Sequence, residues 1–578
     1  MNVLRRPFVA LSLIPLFVMA ADFIIRYSYL RVLEPALLQH FFFSLLFEWT
    51  LWFMAAWTVS SAVKRRTAAV LVGASLIAAA QVLVYGHYAY FGVIPNLYSV
   101  NYALTHTADT LALAASSATW GHAAAFLAMT ALYAALLANA AAAVDALRPR
   151  TRYAVGAAFV LLTLVFNNNV RFVPASYSFS PATLFSVKYA LAERWGGEMK
   201  DVHRGYVRRR CTVAERPPVR ARYNAVLFIG ESLRRKNLSA YGHSRPTSPF
   251  LDSLVAAGSV VRFDRHVSNA VSTQFSVPML LSGTFTVTRP DQPFIYDLLR
   301  RWTDVRTWFF TSQSMQRSNI DLIYNTSLDT FVCQEGLPFP PANDLGADDA
   351  AVSGLVTGYM TRHAGERFFA VVQFNNTHYP YTVKPGRAQF TSPEGMSELD
   401  RYDNTVLDQD DVLRGYVQAF RDHGLLDSTV LLFTADHGEA FGERGHRGHL
   451  NTLYGEEVDV PMWVYLPPGF PPEARKSIEA YATHPTSHLD VVPTLLDLYG
   501  LDDGRSRGAF DGASWLRPVS PDRFIPLVGK DMIDTKAVIA APYKFIETVL
   551  NGVAAYEAYD LTADPAERTN RWTALTPE

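Results

Sequence analysis

Four long apolar runs crowd the first quarter of this 578-residue chain, and they limit its possible folds more than any other feature. They cover residues 7–25, 36–63, 67–91 and 122–144. Each is close to or above the ~20 residues a helix needs to cross the hydrocarbon core of a bilayer. A shorter run, 153–166, predicts a fifth span. Any one run alone could be a buried core helix. Several in succession favour a membrane bundle over residues 1–170. The first is read as a span rather than a cleavable leader, because three others follow and no small-x-small cleavage pattern succeeds it.

Basic residues orient the bundle. Arg5 and Arg6 precede the first run, Lys64, Arg65 and Arg66 separate the second from the third, and Arg148, Arg150 and Arg152 separate the fourth from the fifth. All three clusters fall on one side, which the positive-inside rule makes cytoplasmic, against a weaker opposite bias from Arg26 and Arg31. Five spans then put everything beyond residue 170 outside. Two acids lie within the runs. Asp22 has Arg26 one helical turn on and predicts a structural pair, whereas Glu48 has no local partner and its role stays open.

Residues 171–222 carry Pro, Gly and a basic stretch, and predict a linker with membrane-surface helices around 182–195. From residue 223 to 578 the pattern changes. Short continuous apolar runs at 224–230, 367–374, 429–435 and 460–466 read as strands buried on both faces. Helical stretches at 408–424 and 489–500 lie among them. This alternation predicts an α/β domain with a mostly parallel sheet covered by helices on both sides. Ligands bind beyond the carboxyl ends of such strands. Net charge is −1, which leaves no electrostatic footprint for a nucleic-acid partner. Two cysteines, Cys211 and Cys333, lie on the external side, where a disulfide can persist.

The residues at the strand ends carry the chemistry. Glu231 follows the first run, Asp436 and His437 follow the third, and His378 and His449 lie in comparable turns. Carboxylate and imidazole ligands suit Zn2+ or Mn2+. Alone, each pair could be an ordinary buried hydrogen bond. Ser272, Thr273 and Ser276 lie in a turn before an apolar helix, whose N-terminus is predicted at Ser276–Leu281. A hydroxyl beside a metal can be a nucleophile, and helix N–H groups can face an anion. His378 and His449 would hold phosphate oxygens or move protons.

At these residues the chain resembles the phosphoethanolamine transferases of the alkaline phosphatase/sulfatase superfamily, which include the lipid A-modifying enzymes of polymyxin resistance. The family's G-E-T, T-A-V-S-V-P, S-H-G-P and S-D-H-G-E-S-x-G-E segments are matched by "GES", "TQFSVP", "THYP" and "ADHGEAFGE". The resemblance implies zinc ligands Glu231, Thr273, Asp436 and His437, a Thr273 nucleophile, and substrate contacts from His378 and His449. In the membrane part it places Asn101, Thr105 and Asp109 on the donor headgroup, at an i, i+4, i+8 spacing that shares one helix face. The family's lysine segment D-x-S-G-C-K-G is replaced by "TSQSMQRSN", putting Ser314 and Arg317 near the phosphate. It further implies phosphatidylethanolamine as donor and lipid A or another envelope glycan as acceptor. The expected location is a multi-pass bacterial inner-membrane protein, embedded among membrane lipids, with a periplasmic catalytic domain. Three readings compete: a glycerophosphate transferase of the lipoteichoic acid type, a sulfatase, and a membrane sensor or scaffold with a degenerate enzyme domain. A sulfatase would need Arg where "SVPML" has Leu280.

Overall fold

A computed structural model gives the architecture. It describes residues 7–27, 35–62, 67–91, 118–145, 178–184, 215–285, 293–313, 328–339, 342–343, 346–393, 395–449, 452–501, 510–518, 523–529, 534–550 and 553–575, with scattered positions between 95 and 188. The chain divides into two units, 1–198 with 549–555 and 199–548 with 556–578. Each is taken by itself.

The first unit holds helices α1 (Pro7–Ile25), α2 (Pro35–Ala62), α3 (Thr67–Phe91) and α4 (Trp120–Asp145). Three contain stretches long and apolar enough to cross a membrane, Phe41–Ser61, Ala68–Tyr88 and Trp120–Ala141. Inside the bundle, Leu11, Ile14 and Val18 pack with Phe53, Trp57, Ala74, Ala78 and Leu137. Small alanines on α3 and α4 let the backbones approach, as membrane helices require. Leucines also point outward: Leu76, Leu83 and Leu127 are exposed. Helices apolar all round suit lipid rather than water. The expected fifth span lies mostly outside the described residues, as do Asn101, Thr105 and Asp109.

The two acids within the apolar runs, Asp22 and Glu48, are buried, and each has found partners. Arg26 grips Asp22 through two hydrogen bonds of 2.6 and 3.0 Å. Glu48 accepts from the Trp52 indole at 2.9 Å and from the Ser180 hydroxyl at 2.5 Å. The backbone N–H of Phe179 donates to Asp22 at 2.8 Å, and that of Ser180 to Glu48 at 3.3 Å. The two carboxylates therefore cap the helical segment 179–184 and hold it to α1 and α2. This answers the question Glu48 posed in the sequence. Glu48→Ala removes the carboxylate that accepts from both the N–H and the hydroxyl of Ser180, while the Trp52 indole keeps the Ser180 oxygen as acceptor, at a cost of about 1–3 kcal/mol. The expected result is faster hydrogen–deuterium exchange of residues 178–184 in detergent, with exchange in α4 unchanged.

The second unit is built on a seven-stranded sheet: β1 (Asn224–Gly230), β2 (Val260–Arg262), β3 (Arg306–Thr311), β4 (Thr330–Val332), β5 (Phe368–Gln373), β6 (Thr429–Ala435) and β7 (Met462–Tyr465), in the order β2-β7-β6-β1-β5-β3-β4. Pairings among β1, β3, β4, β5 and β6 are parallel. Only β7 runs antiparallel to its neighbours, which makes the sheet mixed but mostly parallel. Successive side chains feed opposite cores. Leu227 and Phe309 pack with Leu280, Val491 and Leu495, while Phe228 and Trp308 pack with Val356, Tyr416 and Phe420. Helices α5 (Thr273–Ser282) and α8 (Val491–Leu498) cover the first face, and α6 (Asp349–Arg362) and α7 (Glu398–Asp422) the second.

Three expectations need correction. The helix predicted over 408–424 starts ten residues earlier, at Glu398, where Ser397 and Asp400 form a reciprocal capping box. The helix predicted to open at Ser276 begins at Thr273, with Ser272 as its N-cap residue. The strands of 524–560, which form a second sheet of four, went unrecognised. Its first strand alternates buried and exposed residues at its start, a weaker signal than a continuous apolar run.

Candidate metal centre and nucleophile

Parallel register brings the site together. Gly230 of β1 lies level with Ala435 of β6, so the next residues, Glu231 and Asp436, leave the sheet side by side. Both are buried, as is His437. One ligand atom from each lies within 4.8 Å of the others, the spacing of a metal site. Thr273 reaches this group from the first turn of α5. Its Oγ1 donates to Asp436 Oδ2 at 2.6 Å and stands 3.5 Å from Glu231 Oε2 and 3.4 Å from His437 Nε2. Helix α5 directs the positive end of its dipole at the same point.

The backbone is bent to make this possible. Ser232 has φ of 49°, a left-handed conformation costly for a residue with a Cβ. That turn aims its N–H at Asp436 Oδ1, 2.9 Å away, while its hydroxyl donates to Glu231 Oε1. The N–H of His437 also donates to Asp436. Gly438 follows because a Cβ there would lie 2.2 Å from the carbonyl oxygen of Glu456. His437 donates through Nδ1 to its neighbour's carbonyl at 2.9 Å, which leaves Nε2 as the lone-pair nitrogen facing Thr273.

Electrostatics shows what the cluster lacks. Burial pushes the Glu231 carboxyl well above its usual range, and the Asp436 charge pushes it further. Burial also opposes the Asp436 charge, but His437, the Thr273 hydroxyl and Glu231 outweigh it and hold that carboxyl below the usual range. Burial lowers His437 to about 4, so this imidazole is neutral and able to ligate. Two buried carboxylates with only a neutral imidazole as their ion-pair candidate among the described residues are short of one cation. A divalent metal fits that deficit and this donor set.

The outer histidines flank the group. The rings of His437 and His449 are 4.2 Å apart. His449 Nδ1 faces Glu439 at 3.3 Å, and this carboxylate overcomes burial to raise the imidazole's pKa. His378 donates through Nδ1 to the Tyr379 carbonyl at 2.7 Å and lies within electrostatic reach of both Glu231 and His449. Six of the expected residues thus gather here: Glu231, Thr273, His378, Asp436, His437 and His449. Ser314 and Arg317 lie outside the described residues, as does Cys211. Sequence reasoning missed Glu439, although it sits in the quoted "ADHGE", and it missed Gln313, Ser232 and Thr377. Thr377 Oγ1 donates to the backbone carbonyl of Glu231. Small polar residues in turns carry no signal of their own until a ligand is seen beside them.

Comparison with known proteins defines the class first. The sulfatase family model matches residues 223–501, a little under half of the chain. Over a similar length the chain is similar to the phosphoethanolamine transferases. It is 25% identical over 325 residues to phosphatidylethanolamine transferase Mcr-1 of Escherichia coli, which is 51% of this chain and 58% of that protein. It is 23% identical over 327 residues to phosphoethanolamine transferase EptA of Escherichia coli strain K12, 51% and 56% of the two chains. A shorter match, 32% over 152 residues, links 25% of this chain to 27% of a choline-sulfatase of Rhizobium meliloti. The chain thus spans a little over half the length of the transferases it matches. The integral membrane lipooligosaccharide phosphoethanolamine transferase A of Neisseria meningitidis shares the fold, with a TM-score of 0.52 and 16% identity over 85% of this chain and 95% of that one.

Proposed function

We propose that this protein transfers phosphoethanolamine from phosphatidylethanolamine to an acceptor in the bacterial envelope, through a covalent intermediate on Thr273. The observation that carries this reading is the Thr273 hydroxyl, hydrogen-bonded at 2.6 Å to a buried carboxylate within a metal-type ligand set. Glu231, Thr273, Asp436 and His437 would hold Zn2+. When bound, the ion neutralises the buried carboxylates and lowers the pKa of a neighbouring hydroxyl. Thr273 Oγ1, its hydroxyl proton released to solvent, attacks the donor phosphorus, and it takes a proton back from solvent when the acceptor displaces it. One O–P bond forms, the bond to diacylglycerol breaks, and the alcohol leaves with a proton from His449, whose pKa the Glu439 carboxylate raises. His449 then takes the proton of the acceptor hydroxyl or phosphate as that oxygen displaces Thr273. His378 steadies the phosphoryl oxygens with its other ring nitrogen, and the N-terminus of α5 opposes their charge.

The wider reading has five spans over 1–170, a linker over 171–222 and a periplasmic catalytic domain over 223–578, in the inner membrane. Asn101, Thr105 and Asp109 would meet the ethanolamine phosphate, and Ser314 and Arg317 the transferred group. Lipid A, core heptose, a periplasmic glucan and a protein are the acceptor classes. Leu280, fully buried where a sulfatase needs Arg, argues against maturation to a formylglycine enzyme. Incubation with phosphatidylethanolamine vesicles and acid quenching should leave phosphoethanolamine on the peptide bearing Thr273. An adduct on Ser272 or Ser276 assigns the nucleophile elsewhere, and diacylglycerol release without any adduct rules out the two-step course. Mass spectrometry of envelope lipids and glycans with and without the gene identifies the acceptor.

A further inference from the structure

We propose that Gln313 is a positioning residue for Glu231, and that the relay Gln373–Gln313–Glu231 tunes how tightly the centre holds its metal. This rests on the metal reading of Glu231, Thr273, Asp436 and His437.

Glu231 can hold a cation well only if its carboxylate is prevented from turning. Two side chains grip it. The Ser232 hydroxyl donates to Oε1 at 2.9 Å, and the Gln313 amide donates to Oε2 at 2.7 Å. Oε2 is also the Glu231 oxygen that stands 3.5 Å from the Thr273 hydroxyl, so Gln313 holds the side of the carboxylate that faces the nucleophile. Gln313 is itself fully buried. Its second amide hydrogen goes to the carbonyl of Phe374 at 2.8 Å, and its oxygen accepts from the Gln373 amide at 3.2 Å. A flipped Gln313 would set its oxygen against a carboxylate and a carbonyl, so this network permits one orientation. The backbone is fixed as well. Gln334 donates to the Gln313 carbonyl at 3.0 Å, and Ala347 donates to that of Ser312 at 2.8 Å. Gly346 permits that approach, since a Cβ there would lie 2.1 Å from the Ser312 oxygen.

The chemistry of an amide matters here. Lys or Arg at this position would also orient the carboxylate, but would neutralise it and compete with the metal. A neutral donor orients Glu231 and leaves its charge to the cation. Partners of this kind hold metal ligands in place, and their loss typically weakens metal affinity about 10–100-fold.

The test uses the full-length protein in detergent. Gln313→Met keeps the volume and removes both donors. Zn2+ affinity is measured by competition with a chromogenic chelator, alongside thermal unfolding of the metal-stripped protein. The expected result is affinity weaker by about 10–100-fold. Metal-free unfolding should stay close to that of the parent, and transfer should recover at saturating zinc. Unchanged affinity overturns the proposal, as does an activity loss that saturating zinc leaves in place. If Gln313→Met fails to fold, Gln373→Met carries the test: it removes only the far end of the relay, and a smaller weakening in the same direction is expected. Equal affinity in that variant overturns the proposal equally. A parent protein that binds no stoichiometric metal would instead refute the metal reading itself, so the two failures are distinct.

Discussion

Thr273→Ala abolishes the phosphoenzyme and lowers transfer by roughly 10^3–10^6-fold, the range seen when a nucleophile is removed and binding groups remain. The reason is positional. The hydroxyl lies at the first turn of α5, 2.6 Å from Asp436, and alanine removes the one oxygen that lies within 3.5 Å of all three ligands. The neighbouring hydroxyls do not replace it. The hydroxyls of Ser272 and Ser276 are buried and have no hydrogen-bond partner among the described residues, and neither shares the Asp436 contact. Thr273→Ser should retain part of the activity, because it keeps the oxygen and loses only the methyl group that orients it. Donor-lipid turnover and intact-protein mass spectrometry read both variants. Ordinary turnover by Thr273→Ala would leave the assignment without support.

Asp436→Ala is expected to lose the metal together with the activity. Asp436 accepts from Thr273, from the N–H of Ser232 and from the N–H of His437, so its loss removes a ligand and the anchor of two neighbours. Metal analysis of the purified variant should show substoichiometric zinc, and added zinc should not restore transfer. In the parent protein a strong chelator should abolish transfer reversibly. The proton count supplies a second readout. Burial and the Asp436 charge raise the Glu231 carboxyl, so without a cation the pair keeps a proton at neutral pH. Metal binding expels it. Affinity should therefore fall as pH is lowered, and calorimetry in buffers of different ionisation enthalpy should detect proton release. Binding heats independent of buffer would contradict the carboxylate pair as ligands.

Much of this was legible in the chain. The strands at 224–230 and 429–435 coincide with the observed β1 and β6, because strands buried on both faces must be apolar throughout and stand out from their surroundings. The polar residues that follow them are therefore conspicuous, which is why Glu231, Asp436 and His437 could be named. Thr273 was harder. Three hydroxyls compete in "VSTQFS", the chain alone left them equal, and the resemblance to the transferases chose among them. Gln313 and Glu439 left no usable signal. A buried glutamine reads like any other polar residue near a strand end, and its importance depends on a carboxylate 82 positions away in the chain.

The sequence by itself determined the broad plan: an apolar helical bundle followed by an α/β domain, with acids and histidines at the strand ends. It could do so because burial in lipid or between two helical layers imposes composition and periodicity locally. Tertiary structure alone decided which of those polar groups meet. Parallel pairing of β1 with β6 sets Gly230 beside Ala435, and that register turns two distant acids into one pair. It also decided that α5 opens at Thr273, and that Glu48 and Asp22 cap one short helical segment. Such meetings depend on register and packing between segments hundreds of residues apart, and no local pattern in the chain encodes them.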